Sequence, residues 1–161
     1  MIRDFKAKDT KQLLDIYNYY VLNTIVTFDI EPLTLKAFTK KLTRINKDYP
    51  CIVFEEKNEI LGYAYGSKWR PKPAYKQTVE ATVYLKNGEQ GKQIGSRLYR
   101  KLLDLLELEG YHIVLGGLTL PNDASVKLHE KFGFKQVAHF KEVGRKFDTW
   151  LDVAFWQLKF N

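Results

Sequence analysis

This 161-residue chain carries one cysteine, one methionine and three histidines. A lone Cys51 excludes an internal disulfide and suits a reducing cytoplasm, where the protein is expected. His112, His129 and His139 have no metal-ligand spacing with one another or with Cys51, so no metal is expected. No apolar run approaches the roughly 20 residues of a membrane helix. Met1-Ile2-Arg3-Asp4 lacks the apolar centre of a signal peptide, and no membrane partner is expected. Linkers, internal repeats and low-complexity tracts are missing too. The formal net charge is +7, yet no basic block of about five residues occurs. A nucleic-acid-binding module would need a clustered basic stripe, so no nucleic acid is expected as a partner.

What is present is ordinary globular material, 45% hydrophobic and 28% charged, in a length that suits one domain over residues 1–161. Asp9 with Gln12 three residues later reads as a capping box opening a helix over residues 10–22, with Leu13, Leu14, Tyr17, Tyr20 and Val21 at helical spacing. Leu35, Phe38, Leu42 and Ile45 give a second helix that stops before Pro50. Cys51 to Glu55 and Ile60 to Trp69 read as a hairpin turning at Lys57-Asn58. Val79 to Leu85 is a strand. Ile94, Leu98, Leu102, Leu105 and Leu106 mark a helix that begins near Gly95 and closes before Gly110. Ile113 to Leu118 is a short buried strand, and a helix after Asn122 runs through Lys131 to Gly133. Phe134 to Glu142 and Thr149 to Phe160 are the last strands, separated by Gly144-Arg145-Lys146. The fold class is therefore mixed α/β (α+β), a mostly antiparallel sheet of about seven strands with about four helices.

The run Gln90-Gly91-Lys92-Gln93-Ile94-Gly95-Ser96 lies between a strand and a helix. A glycine-bearing turn there presents bare backbone N–H groups at the positive end of a helix dipole, which is how a phosphate or pyrophosphate is held. No Lys-Ser/Thr follows the glycines as in a P-loop, and the pattern is not a dinucleotide fingerprint. Glu80 sits mid-strand on one face with Thr78 and Thr82. Spacing alone leaves it open between an exposed edge-strand carboxylate and a base desolvated in a cleft. A lone helical His129 is more often structural than catalytic. Asn122 can cap its helix, donate to a ligand, or do both.

These segments, in this order, resemble the GNAT superfamily of acyl-CoA-dependent N-acyltransferases, and within it the phosphinothricin-type N-acetyltransferases. The superfamily loop Gln/Arg-x-x-Gly-x-Gly/Ala stands here as Gln90 to Gly95. The segment Asn-x-x-Ser/Ala-x-x-Leu-Tyr/His-x-x-x-Gly-Phe stands as Asn122, Ser125, Leu128, His129, Gly133 and Phe134. Matches to the narrower group are Thr27-Phe28 with Glu31-Pro32, Ala74-Tyr75-x-x-Thr78-x-Glu80 followed by Val83-Tyr84, and Gly144-x-Lys146-x-x-x-Trp150-x-Asp152-Val153. Two positions depart: Gln93 replaces the loop's first glycine, and Lys72 stands where relatives often carry Arg, whose bidentate grip on a carboxylate Lys does not reproduce.

The resemblance implies an acetyl-CoA-dependent N-acetyltransferase acting on the amine of a small molecule, an amino acid or an analogue such as phosphinothricin or methionine sulfoximine. Glu80 is implied as the base and His129 as a catalytic or positioning group. Val83, Tyr84 and Leu85 are implied for the pantetheine arm, Gln90 to Ser96 for the pyrophosphate, and Asn122 for a further cofactor contact. Phe28, Trp69, Arg70, Lys72 and Tyr75 are candidates for the acceptor pocket. A homodimer is carried over from related proteins. Other readings are an acetyltransferase for an aminoglycoside, polyamine or protein N-terminus, and a non-catalytic acyl-CoA sensor.

Overall fold

The computed structural model describes residues 1–161. It contains strands β1 (Ile2–Asp4), β2 (Cys51–Glu56), β3 (Glu59–Lys68), β4 (Thr78–Leu85), β5 (Ile113–Leu120), β6 (Lys135–Lys146) and β7 (Thr149–Lys159). The helices are α1 (Thr10–Asn23), α2 (Leu35–Asp48), α3 (Ile94–Leu108) and α4 (Asp123–Lys131). The seven strands form one sheet in the order β1-β2-β3-β4-β5-β7-β6. Every neighbouring pair is antiparallel except β4 and β5.

Alternation along the strands divides the apolar residues between two cores, one on each face. On β2, Ile52 and Phe54 join the core under α3, with Leu98, Tyr99, Leu102 and Leu106. Cys51 and Val53 point the other way and join Leu13, Tyr17, Val21, Phe38 and Leu42 under α1 and α2. The Lys57-Asn58 turn has φ of 50° and 67°, the left-handed pair that matches a two-residue hairpin. Thr34 caps α2, its hydroxyl accepting the Ala37 N–H at 3.2 Å.

The structure departs from the sequence reading in three places. No capping box joins Asp9 to Gln12. Asp9 is buried, accepts both Arg3 Nη atoms at 2.8 and 2.9 Å, and accepts the Lys6 N–H. Gln12 reaches across to accept the Ile60 N–H at 2.8 Å. The sequence reading also lacks β1, a strand too short and too charged to show a period, which pairs with β2 through Ile2, Arg3 and Asp4 and supplies the arginine that Asp9 holds. Finally, Gly144-Arg145-Lys146 lies inside β6. The register shifts between Phe140 and Gly144, where Glu142 has φ of 51°, and the chain turns at Phe147-Asp148. Asp152 fixes this bulge by accepting the Glu142 N–H at 2.8 Å, so a β-bulge carries the strand past the expected break.

The pairing of β4 with β5 ends early. Only Thr78↔Ile113, Val79↔Val114 and Glu80↔Leu115 are in register, yet β4 continues to Leu85 and β5 to Leu120. Beyond Glu80 the two strands splay apart. The β5-facing backbone groups of β4 therefore lack ladder partners, and buried backbone polar groups demand one.

Candidate active site

Three elements converge on the splay. The first is the loop from β4 into α3. Gly91 has φ of 80°, and Gln93, the residue before α3, holds φ 63°, ψ 5°. Gln93 thus adopts the left-handed conformation that glycine favours, and it is exposed. The N-cap makes no side-chain hydrogen bond, and Arg97 N–H is the first to reach back, to Gln93 O at 3.0 Å. The N–H groups at the start of α3 are therefore free for an anion. Gln90 braces the loop: it accepts the Gly88 N–H at 2.9 Å and donates to the Tyr20 hydroxyl at 3.3 Å. Tyr20 in turn donates to Leu85 O at the open end of β4.

The second element is α4. Asn122 caps it, Oδ1 accepting the Ser125 N–H at 3.2 Å. Its amide nitrogen is left to the adjoining cavities, both of which it lines. An outer cavity of about 480 Å³ runs from the loop into the splay, with Val83, Leu85, Gln90, Ser96, Lys127 and Lys131 on its walls. Lys131 reaches Ser96 Oγ at 3.1 Å. An inner cavity of about 270 Å³ continues from it, sharing Val26, Val83, Tyr84, Asn122 and Ser125. Glu80, Tyr99, His129 and Phe28 line this inner part.

The third element is the last paired rung itself. Glu80 makes no hydrogen bond or ion pair, and burial pushes its carboxyl above its ordinary value of 4.5. Across the splay stand Gly116 and Gly117. A Cβ on Gly116 would meet His129 Nε2 at 2.2 Å; one on Gly117 would meet the Phe155 ring at 2.8 Å and Glu80 Oε1 at 3.3 Å. The glycine pair is what lets both side chains lie against β5. His129 is 3% exposed. Its Nδ1 lies 2.7 Å from Ser125 O, and a carbonyl only accepts, so Nδ1 carries the proton. Nε2 then accepts from the Tyr99 hydroxyl at 2.8 Å. Burial pushes the imidazole below 6.5, against the opposing Ser125 bond, and pushes the Tyr99 hydroxyl well up. At neutral pH the pair is neutral, with its shared proton on tyrosine.

Of the expected cofactor residues, Val83, Tyr84, Leu85, Gln90, Gly91, Gln93, Gly95, Ser96 and Asn122 line the outer cavity. Lys92 does not line it and pairs with Glu89 at 3.0 Å. Ile94 is buried in the core and offers only its backbone. Among the acceptor candidates, Phe28 lines the inner cavity and its ring sits so close to Gly144 that a Cβ there would lie 2.2 Å away. Buried Lys146 donates to Thr27 O at 2.8 Å, so the tail segment fastens the Thr27-Phe28 loop. Trp69 packs edge-on against Phe155 at 5.1 Å, with Arg70 over its ring at 5.0 Å. Lys72 and Tyr75 are exposed and line neither cavity. Sequence reading missed Tyr99, which looks like any core aromatic of α3. It also missed Gly116-Gly117, although two glycines inside an apolar strand signal close approach.

A model of the acetyltransferase (GNAT) domain matches residues 2–155. The chain belongs to the GNAT acetyltransferase family. It is 43% identical to a phosphinothricin N-acetyltransferase of Streptomyces coelicolor over 97% of this chain and 94% of that protein. It is 34% identical to an L-methionine sulfoximine/L-methionine sulfone acetyltransferase of Pseudomonas aeruginosa, over 99% and 94%. A phosphinothricin acetyltransferase from Sinorhizobium meliloti, solved in complex with acetyl-CoA, superposes with a TM-score of 0.97 at 30% identity, covering 100% of this chain and 88% of that one. The chain is accordingly an N-acetyltransferase with acetyl-CoA as its acetyl donor. The site fits that donor. Free N–H groups at the start of α3, beside Lys127 and Lys131, suit a diphosphate, and the unpaired edge of β4 suits an amide-bearing arm laid alongside it as a strand would be.

Proposed function

We propose that this enzyme, one domain over residues 1–161, acetylates the amine of a small amino acid or analogue, the class that includes phosphinothricin and methionine sulfoximine. The carrying observation is Glu80: a carboxyl without a partner, raised by burial, on the last paired rung where the splay begins. Glu80 takes the proton of the attacking amine. Main-chain N–H groups of Val83 to Leu85 polarise the thioester carbonyl and line up the pantetheine arm, and the loop from Gln90 to Ser96 holds the diphosphate. The departing thiolate receives the proton that Glu80 collected, so the transfer balances with one carboxyl. His129 acts as a positioning residue. Its one proton is committed to Ser125 O, and its Nε2 holds the Tyr99 hydroxyl, so the pair presents lone pairs, not an acid, to the cavity.

Glu80→Gln tests the base. A free-thiol assay with acetyl-CoA and a panel of amino acids, phosphinothricin, methionine sulfoximine, polyamines and aminoglycosides should show turnover of the amino-acid class. Loss should be at least about tenfold in the variant, the low end of what removing a general base does; an unchanged rate removes the assignment. The buried Cys51 thiol supports a reducing cytoplasm as the working compartment. A homodimer through the β6–β7 hairpin is supported by Phe140, Val143, Phe147 and Trp150, each about half exposed on one ribbon.

A further inference from the structure

One hydroxyl touches both of the grips proposed for the donor. Tyr20 stands near the end of α1 and lines the outer cavity with Val83, Leu85 and Gln90. Lys86 N–H bonds to Leu61 O at 2.9 Å, which makes Leu85 and Gly62, the neighbouring pair in the register, a non-hydrogen-bonded one. The N–H and C=O of Leu85 therefore point away from β3, to the open edge, as do those of Val83. Leu85 O is the last carbonyl on that edge, and the Tyr20 hydroxyl donates to it at 2.8 Å. A carbonyl only accepts, so the one phenolic proton is committed there. The same oxygen then accepts from Gln90 Nε2 at 3.3 Å, while Gln90 Oε1 accepts the Gly88 N–H at 2.9 Å.

This chain of bonds closes residues 85 to 90 into a ring through a side chain 65 residues before Leu85. Between Leu85 and Gln90 the main chain makes a turn, Glu89 N–H to Lys86 O at 3.0 Å, with no helix or strand. Tyr20, by contrast, is fixed on a helix. Its ring packs against Tyr84 and Tyr19 with centroids at 5.2 and 5.7 Å, and its carbonyl accepts from the Thr24 hydroxyl at 2.8 Å. Burial pushes its hydroxyl up, so it stays protonated and donating. A helix side chain locked by packing is a firmer reference point than the loop it holds.

We propose that Tyr20 is a positioning residue for the donor: its hydroxyl sets the spacing between the open edge of β4 and the diphosphate loop, so that coenzyme A meets both at once. It also closes the edge at Leu85 O, which leaves the pantetheine arm the Leu85 N–H and both groups of Val83. The inference rests on the placement of arm and diphosphate given under the proposed function, and adds the residue that keeps the two in step. For a ligand with two points of attachment, a fixed spacing raises the affinity of the whole above that of its parts.

The test measures the Kd of coenzyme A, ADP and pantetheine by calorimetry for the wild type, Tyr20→Phe, Gln90→Leu and the double variant. Tyr20→Phe keeps the ring and removes only the hydroxyl. It should weaken coenzyme A about tenfold, the size of the neutral hydrogen bonds lost. ADP and pantetheine, which each meet one grip, should weaken less than about threefold. In the Gln90→Leu background, where the connection is already cut, the same substitution should change coenzyme A affinity by less than about twofold. In turnover the loss should appear in the KM for acetyl-CoA and not in the KM of the acceptor. A tyrosine that only held the fold would instead lower the melting temperature and weaken all three ligands together. Unchanged coenzyme A affinity in Tyr20→Phe, an equal loss for ADP, or full additivity in the double variant removes the inference alone. Amide exchange in the wild type without protection by coenzyme A at Val83, Leu85 and the start of α3 removes the placement, and the inference with it.

Discussion

The two halves of β4 make opposite use of the same geometry. From Thr78 to Glu80 the strand is paired on both sides, with β3 and with β5, and Val79 is sealed in the core. From Ala81 to Leu85 it is paired only with β3, and its other edge faces the cavity. The closed half holds the fold; the open half keeps backbone donors and acceptors for a ligand. Glu80 stands on the boundary, rigid from below and reachable from above. Its raised carboxyl is a consequence of that position, since burial without a partner disfavours the charged form.

The contrast is broken hardest by Glu80→Gln, which should cost at least about tenfold in turnover while stabilising the protein at neutral pH. Glu80 has a folded pKa above its ordinary 4.5. The native state therefore binds the proton more tightly, and stability falls as pH rises through the window above 4.5. Melting curves of wild type and variant should converge below pH 4.5 and separate at pH 8 with the variant higher; the reverse order would mean an unseen counter-charge for the carboxylate.

Gly116→Ala should come next. The added methyl meets the His129 ring at 2.2 to 3.2 Å, a clash that costs about 1–3 kcal/mol and displaces the Tyr99–His129 pair. Activity per folded molecule, measured alongside chemical unfolding, should drop. By contrast Leu106→Ala, fully buried beside Val79 of the paired half, should cost about 2–5 kcal/mol with near-normal turnover in what remains folded. Equal activity losses in the two variants would erase the distinction between the halves.

The smallest expected effect is at Gln93. Glycine there relieves a left-handed side-chain residue, worth about 1–2 kcal/mol, but frees the unfolded chain by about 0.4–1 kcal/mol. Gln93→Gly should therefore leave the melting temperature within a few degrees and coenzyme A affinity near wild type. A large gain in affinity would mean the side chain obstructs the site.

Much of this was legible in the chain. Ile94, Leu98, Leu102 and Leu106 fix α3 by period alone, and the loop before it is marked by Gly91 and Gly95 at a strand–helix junction. The resemblance then assigned Glu80 and His129, which the structure brings to one cavity. Side-chain partners were not legible. Asp9 and Gln12 had the spacing of a cap, but each takes another partner, Arg3 of the preceding strand β1 for one and the Ile60 N–H of the distant β3 for the other. The proton state of His129 depends on the Ser125 carbonyl one helical turn away and on a tyrosine 30 residues back in α3.

Amide hydrogen exchange, with and without saturating coenzyme A, tests the division of β4 most directly. Coenzyme A should slow exchange at β5-facing amides between Thr82 and Leu85 and at Gln93 to Ser96, and leave Thr78 to Glu80, already paired, unchanged. Protection spread evenly along β4, or absent from the start of α3, would contradict it.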